Sequence, residues 1–126
     1  DGGEFWVALD SGRVIGTVGL MRKERHCAVM KKFFVKKEFR SQRVGLALYT
    51  HLLRFAESTG VRQLLLDTPS VAHASHRFYE KAGFRRISRA ELPVPYSYPD
   101  RGSILYLLEL PTVRENGTGK QTEKET

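Results

Sequence analysis

The hydrophobic period of the chain changes twice between residues 27 and 68, and that restricts the folds open to it. In CAVMKKFFVKKEF, residues 27–39, Val29, Phe33 and Val35 recur at even spacing, the mark of a strand. From residue 44 the repeat lengthens. Val44, Ala47, Leu48, Leu52, Phe55 and Ala56 make one apolar stripe at helical spacing over 44–58, and Gly60 stands where such a helix stops. VRQLLLDT, 61–68, is a short apolar run of the kind buried in parallel sheets. Strand, helix and strand in that order cross over right-handed, so strands 27–39 and 61–68 are expected to run parallel.

The flanking segments extend this unit. EFWVAL (4–9) and RVIGTVGL (13–20) read as strands joined by the turn residues DSG (10–12), a hairpin, and RKERH (22–26) reads as a charged loop. Pro69-Ser70 reads as a helix entry with Ser70 as cap, and VAHASHRFYEKAGF (71–84) as a helix ending at Gly83. FRRIS (84–88) reads as a strand, ELPVPYSYPDRG (91–102) as a loop, and SILYLLEL (103–110) as a last strand antiparallel to the one before it. The predicted order is β-β-β-α-β-α-β-β, an α/β (α+β) chain with a mixed sheet and helices packed on it. Residues 1–110 are expected to be one domain, and the almost wholly polar residues 111–126 a disordered tail.

Composition excludes some functions and leaves others. A length of 126 residues suits a single core, and the one cysteine, Cys27, permits no internal disulfide. No apolar run approaches the roughly 18 residues that cross a bilayer. No signal-peptide pattern opens the chain, so a reducing, cytoplasmic setting is expected. The net charge of +7 points to anionic partners, and Lys31, Lys32, Lys36, Lys37, Arg40 and Arg43 fall within one short stretch. KKFFVKKEFR, basic with interleaved aromatics, would also suit a nucleic-acid-binding module, a reading that gives no role to Gly45 or Tyr79.

The stretch FRSQRVGLALYTHLL (39–53) runs from a polar, basic turn into the first helix. The first amides of a helix lack intrahelical partners and carry the positive end of its dipole, which suits phosphate. Gly45 and Ala47 would keep Cβ bulk away from such a ligand. The same small residues would equally let helix and sheet pack closely, and the local stretch does not choose between these readings. It contains neither a Walker loop nor GxGxxG.

Wider motifs do choose. QRVGLA (42–47) resembles the acyl-CoA signature Gln/Arg-x-x-Gly-x-Gly/Ala of the GCN5-related N-acetyltransferases (GNAT). SHRFYEKAGF (75–84) resembles the second hallmark of that family, and FWVALDSGRVIGTVGL and LLLDTPS resemble its early hairpin and the strand between its helices. The resemblance spans residues 4 to about 110, and within the family is nearest the camello-like, small-molecule amine and amino-acid acetylating branch. It implies a centrally splayed sheet and acetyl-CoA as co-substrate, with no metal. Backbone groups of Phe33, Phe34 and Val35 would pair with pantetheine. Gln42 would open a turn in which the amides of Arg43, Val44, Gly45, Leu46 and Ala47 hold the pyrophosphate. Tyr79 would protonate the departing thiolate while an amine attacks directly in a ternary complex.

The helix stripe Val71, Ala74, Phe78 and Ala82 is expected to face the core, with Tyr79 pointing elsewhere. For deprotonating the amine, the residues on offer are Glu24, Asp67, His73 and His76. Cys27 is not needed as a nucleophile. Tyr96, Tyr98 and Arg101, in the loop, would shape an acceptor pocket with a preference for a carboxylate. The expected acceptor is a small-molecule amine or amino acid, with a protein amine as the other case. Neither nucleic acid nor membrane is expected as a partner. The chain departs from the family pattern at Arg43, where glycine is usual, and at Ala72, where asparagine is usual. It also begins at the hairpin, without the strand and two helices that wall the acceptor pocket in the family. That implies either an incompetent fragment or a wall supplied by another chain, as in a homodimer.

Overall fold

The structure is a computed structural model that describes residues 3–98 and 102–111. Arg101 and the expected tail beyond Pro111 lie outside the described residues. Six strands form one sheet: β1 (Gly3–Asp10), β2 (Arg13–Glu24), β3 (Cys27–Val35), β4 (Gln63–Pro69), β5 (Arg85–Ile87) and β6 (Ser103–Glu109). Their spatial order is β1-β2-β3-β4-β6-β5. Helix α1 (Val44–Ser58) connects β3 to β4, and α2 (His73–Lys81) connects β4 to β5. The expected order of strands and helices is the one observed, and β3 and β4 are parallel while β5 and β6 are antiparallel.

The hairpin turns on Ser11 and Gly12, with φ of 53° and 79°. Two consecutive positive φ values give a turn whose twist matches the flanking strands. The charged stretch Arg22–Glu24, read as loop, instead prolongs β2, because the pairing with β3 continues to Glu24 opposite Cys27. The strand read as 27–39 stops at Val35, and Lys37–Gln42 coil into a 3-10 helix. Arg40 fixes this end of the strand by donating from Nε to the Val35 carbonyl at 2.9 Å. The second helix begins at His73 rather than 71, and no side chain caps it, so Ser70 is not its cap.

Both helices cover one face of the sheet. Leu48, Tyr49, Leu52 and Ala56 of α1 share a core with Val18, Leu20, Ala28, Met30, Leu64 and Leu66. Ala47 is exposed and does not join the stripe. The expected stripe on α2 is also corrected: Val71 and Ala74 are exposed, and Tyr79 and His76 are the buried residues of that helix. The opposite face of the sheet is sealed over β3, β4, β6 and β5 by residues 92–98, where Val94 is buried against Val29, Leu65, Leu105 and Leu107.

One irregularity shapes the centre. Between the Thr17–Phe34 and Gly19–Lys31 pairs, Lys32 and Phe33 stand opposite Val18 alone. Lys32 takes φ of 57°, and its carbonyl accepts from Thr17 Oγ1 at 2.6 Å. This is a bulge, and a bulge bends its strand. The parallel pairing of β3 with β4 accordingly lasts only from Cys27–Gln63 to Val29–Leu65, while β4 stays paired with β6 along its whole length.

Candidate active site

Beyond Val29 and Leu65 the two central strands part, and a cleft of about 450 Å³ opens between them. Met30 to Phe33 form one wall, Leu66 to Pro69 the other, and Ala72, Ser75 and Tyr79 of the second helix segment close one side. Successive residues of a strand face opposite sides of the sheet. Met30 and Leu66 belong to the helix-side core, and Val29 and Leu65 to the loop-side core. Lys31 and Asp67 therefore reach the loop side, and the cleft passes through the sheet from one face to the other.

On the helix side, Tyr79 is 7% exposed and held by the rings of Phe33, Phe84 and Tyr106 at 6.3, 5.7 and 5.7 Å. Its hydroxyl makes no hydrogen bond among the described residues, which leaves it available to the cleft. Burial, and then the Asp67 carboxylate and Tyr106, push its pKa up to about 12, so it is a protonated phenol at neutral pH. The adjacency of Phe78 and Tyr79 does send them in different directions, but it is Tyr79 that is the more deeply buried.

On the loop side, Tyr96 donates from its hydroxyl to Asp67 Oδ1 at 3.1 Å. Lys31 Nζ lies 5.6 Å from the centre of the Tyr96 ring. The Tyr98 ring packs tilted against that of Tyr96 at 5.6 Å, and its hydroxyl accepts from Arg89 Nε at 2.9 Å. Burial first, and then the Asp67 charge, raise the Tyr96 pKa beyond the ordinary phenol range, so this hydroxyl is a fixed donor.

The turn entering α1 lies past the end of β3. Arg43 occupies the position before the helix with φ of 63° and ψ of 20°, and no side chain caps this end. The first intrahelical bond runs from the Ala47 amide to the Arg43 carbonyl at 3.1 Å. Ala47 is thus removed from the expected cradle of free amides, while Val44, Gly45 and Leu46 precede that bond. A Cβ on Gly45 would meet Phe33 Cζ and Val35 Cγ2 at 3.6 Å, an ordinary contact. The close helix–sheet approach needs a different glycine: a Cβ on Gly16 would stand 3.0 Å from Leu48 Cδ1 and 3.1 Å from the Phe34 carbonyl oxygen. Phe33 and Val35 turn toward this region half-buried, while Phe34 is exposed and Gln42 sits at the end of the 3-10 helix.

Position separates the residues considered for proton removal. Glu24 and Cys27 lie at the closed end of the parallel pair, away from the cleft. Cys27 is 2% exposed, and burial, with Glu24 second, pushes its thiol up to about 11, which keeps it protonated. His76 is buried and tied through Nε2 to the Pro69 carbonyl at 2.9 Å, and His73 is exposed on α2. Asp67 is the one carboxylate among the described residues lining the cleft. Its partnership with Tyr96 bridges 29 positions of sequence and has no local signal. Among the described residues no group of three or more His, Cys, Asp or Glu side chains gathers as a metal site. No helix there is long and apolar enough to cross a membrane.

The model of the acetyltransferase (GNAT) family matches residues 1–84. The chain belongs to that family. Relatives in the GNAT family include the N-acetylaspartate synthetase of Danio rerio, 33% identical over 88 residues, covering 69% of this chain and 31% of the relative. The probable N-acetyltransferase camello of Xenopus tropicalis is 31% identical over 90 residues, covering 70% and 41%. The camello-like resemblance of the motifs thus agrees with whole-segment similarity. Among solved structures, an acetyltransferase from Streptococcus agalactiae superposes with a TM-score of 0.83 and 40% identity over 86% of this chain and 67% of that one. A GNAT acetyltransferase from Elizabethkingia anophelis, solved with acetyl-CoA bound, shares the fold with a TM-score of 0.70 at 22% identity, over 86% and 76%. The chain spans less than half the length of both curated relatives.

Proposed function

We propose that this chain is the catalytic part of an N-acetyltransferase that moves the acetyl group of acetyl-CoA to a primary amine. The observation that carries the reading is the open through-sheet cleft with the unpartnered Tyr79 hydroxyl inside it. The free edge of β3 beyond Val29, including Phe33, Phe34 and Val35, offers backbone groups to the amides of pantetheine, in the manner of an added strand. The free amides at the start of α1, Val44, Gly45 and Leu46, suit the pyrophosphate, with Arg43 and Gln42 beside them and Ala47 as a low wall. The smallness of Gly45 is not demanded by the neighbouring protein atoms, which supports a ligand as its reason.

The acetyl thioester would then reach the gap between the strands. The amine nitrogen attacks the thioester carbonyl, the C–N bond forms and the C–S bond breaks. Tyr79 gives its proton to the leaving thiolate and is reprotonated from the proton the amine releases. A phenol pushed up to about 12 is a weaker acid than the thiol it would form, so its value here lies in position, the rings of Phe33 and Phe84 holding it at the cleft where the sulfur would lie.

The relatives named N-acetylaspartate synthetase favour a small amine or an amino acid as acceptor. The cleft supports this with opposite charges on its loop side, Asp67 and Lys31, which suit an ammonium and a carboxylate on one molecule. Acetyl-CoA should raise the melting temperature of the protein, and a single-stranded oligonucleotide should not. Tyr79→Phe should retain that thermal shift and lower the rate of thiol release about a hundredfold or more, in the range of a lost general acid. A shift with the oligonucleotide alone would transfer the assignment to a nucleic-acid module, and equal losses of binding and rate in Tyr79→Phe would remove the acid role.

A further inference from the structure

We propose that Asp67 is the seat of the acceptor's ammonium group and that Tyr96 is the positioning residue that holds it there. The inference rests on the transferase reading and adds the residue and the face of the sheet from which the second substrate enters.

The two faces of the cleft differ in chemistry. The helix side is lined by Met30, Phe33, Leu66 and the phenol of Tyr79, which bear no charge at neutral pH, while the cations at the cleft, Lys31 and Lys32, would repel an ammonium ion. A thioester is uncharged, and this side suits it. The loop side carries Asp67, and no other carboxylate among the described residues lines the cleft. A primary amine arrives mostly as an ammonium ion at neutral pH, and an ammonium ion leaving water needs an oxygen anion to receive it.

Asp67 is placed to do this. It is the second residue of β4 past the last pair with β3, so it stands where the strands first part. β4 is rigid there, because Asp67 remains paired with Leu105 of β6. Among the described residues only one Asp67 oxygen takes part in a side-chain hydrogen bond, to the Tyr96 hydroxyl at 3.1 Å. A carboxylate has about four acceptor sites, so capacity for an ammonium remains. Tyr96 fixes the rotamer of the carboxylate from the loop, and its ring is itself held between Tyr98 and Lys31. The seat therefore belongs partly to a loop far away in sequence, and a change in that loop alters acceptor choice without touching the acetyl-CoA side.

In the step itself the ammonium gives one proton to Asp67 and thence to solvent. The freed nitrogen lone pair attacks across the sheet toward the thioester, and the second proton of the nitrogen leaves as the amide forms. The overall balance is one ammonium and one thioester consumed, with one amide, one thiol and one proton produced.

The test measures thiol release with acetyl-CoA and a panel of the twenty amino acids, polyamines and a lysine-containing peptide. Wild type is compared with Asp67→Asn, Asp67→Glu and Tyr96→Phe. Asp67→Asn should raise the amine KM about tenfold or more and leave the acetyl-CoA KM within about twofold, as expected for loss of one charge-assisted contact to a single substrate. Asp67→Glu should recover part of the loss, and Tyr96→Phe should raise the amine KM by about threefold, the effect of one neutral hydrogen bond. The thermal shift given by acetyl-CoA should be the same in all four proteins, which reports that each is folded. An unchanged amine KM in Asp67→Asn overturns the seat, as does a parallel rise in the acetyl-CoA KM. Acetyl-CoA binding with no transfer to any member of the panel also overturns it. Absence of the thermal shift in wild type instead overturns the transferase reading beneath it.

Discussion

At the scale of single residues, Arg43 shows how a site can tolerate a costly conformation. Its φ of 63° lies in the left-handed region, where a Cβ crowds the next carbonyl at about 1–2 kcal/mol. Arg43→Gly should relieve that strain, lose part of the gain to the freer unfolded chain, and stabilise the protein by a net ~0.5–1 kcal/mol in urea unfolding. This also gives the physical reason why a glycine is the expected residue there. Tyr79 was singled out by its motif, but its surroundings were not legible. The apolar stripe drawn through Val71 and Ala74 fails because Val71 lies before α2 begins and the buried side of that helix is His76 and Tyr79, with His76 spending its ring nitrogen on the end of β4. Hydrophobicity alone cannot show that a histidine and a tyrosine form the buried side of a helix whose valine neighbour is 77% exposed.

At the scale of elements, two glycines give opposite expectations. Gly16→Ala places a methyl group 3.0 Å from Leu48 and 3.1 Å from a backbone oxygen that cannot swing away. Helix α1 and strand β2 must separate, and the thermal midpoint should fall by an amount corresponding to about 1–3 kcal/mol. Gly45→Ala meets only ordinary contacts at 3.6 Å, so its midpoint should be unchanged or higher, while its acetyl-CoA affinity should fall. Calorimetry and ligand titration on the two variants separate a packing glycine from a ligand-facing one. The strand–helix–strand unit was legible because period changes mark it. The bulge that opens it was not, since Lys32 adopts φ of 57° without the glycine that usually announces such a position. Nor could the sequence show that the strand ends at Val35, because Lys37–Gln42 carry no feature that distinguishes a 3-10 turn from further strand.

At the scale of the whole molecule, the helix-side core is rich in phenols. Tyr49 and Tyr79 are both pushed up to about 12, chiefly by burial. In the unfolded chain each ionises near 10. Between those values the folded state holds more protons than the unfolded state, so stability must decline as pH rises. Urea midpoints should therefore begin to fall above about pH 8.5, where the Cys27 thiol of the unfolded chain ionises, and fall more steeply from about pH 10 to 12. A Tyr79→Phe variant should show a shallower decline over the same range. The Cys27 thiol, pushed up to about 11, and the Tyr96 hydroxyl, raised on the loop side of the cleft, add to the same decline.

The bulge at Lys32 has one more consequence. A sheet normally exposes raw backbone only at its rims, where charges and loops guard it. Here the rim runs through the middle of the protein, kept open because β3 turns aside while β4 satisfies itself with β6. A guest with amides of its own would complete the hydrogen-bond ladder that the polypeptide leaves unfinished. On the proposed function the coenzyme would be a missing plank of the floor as much as a carrier of the acetyl group.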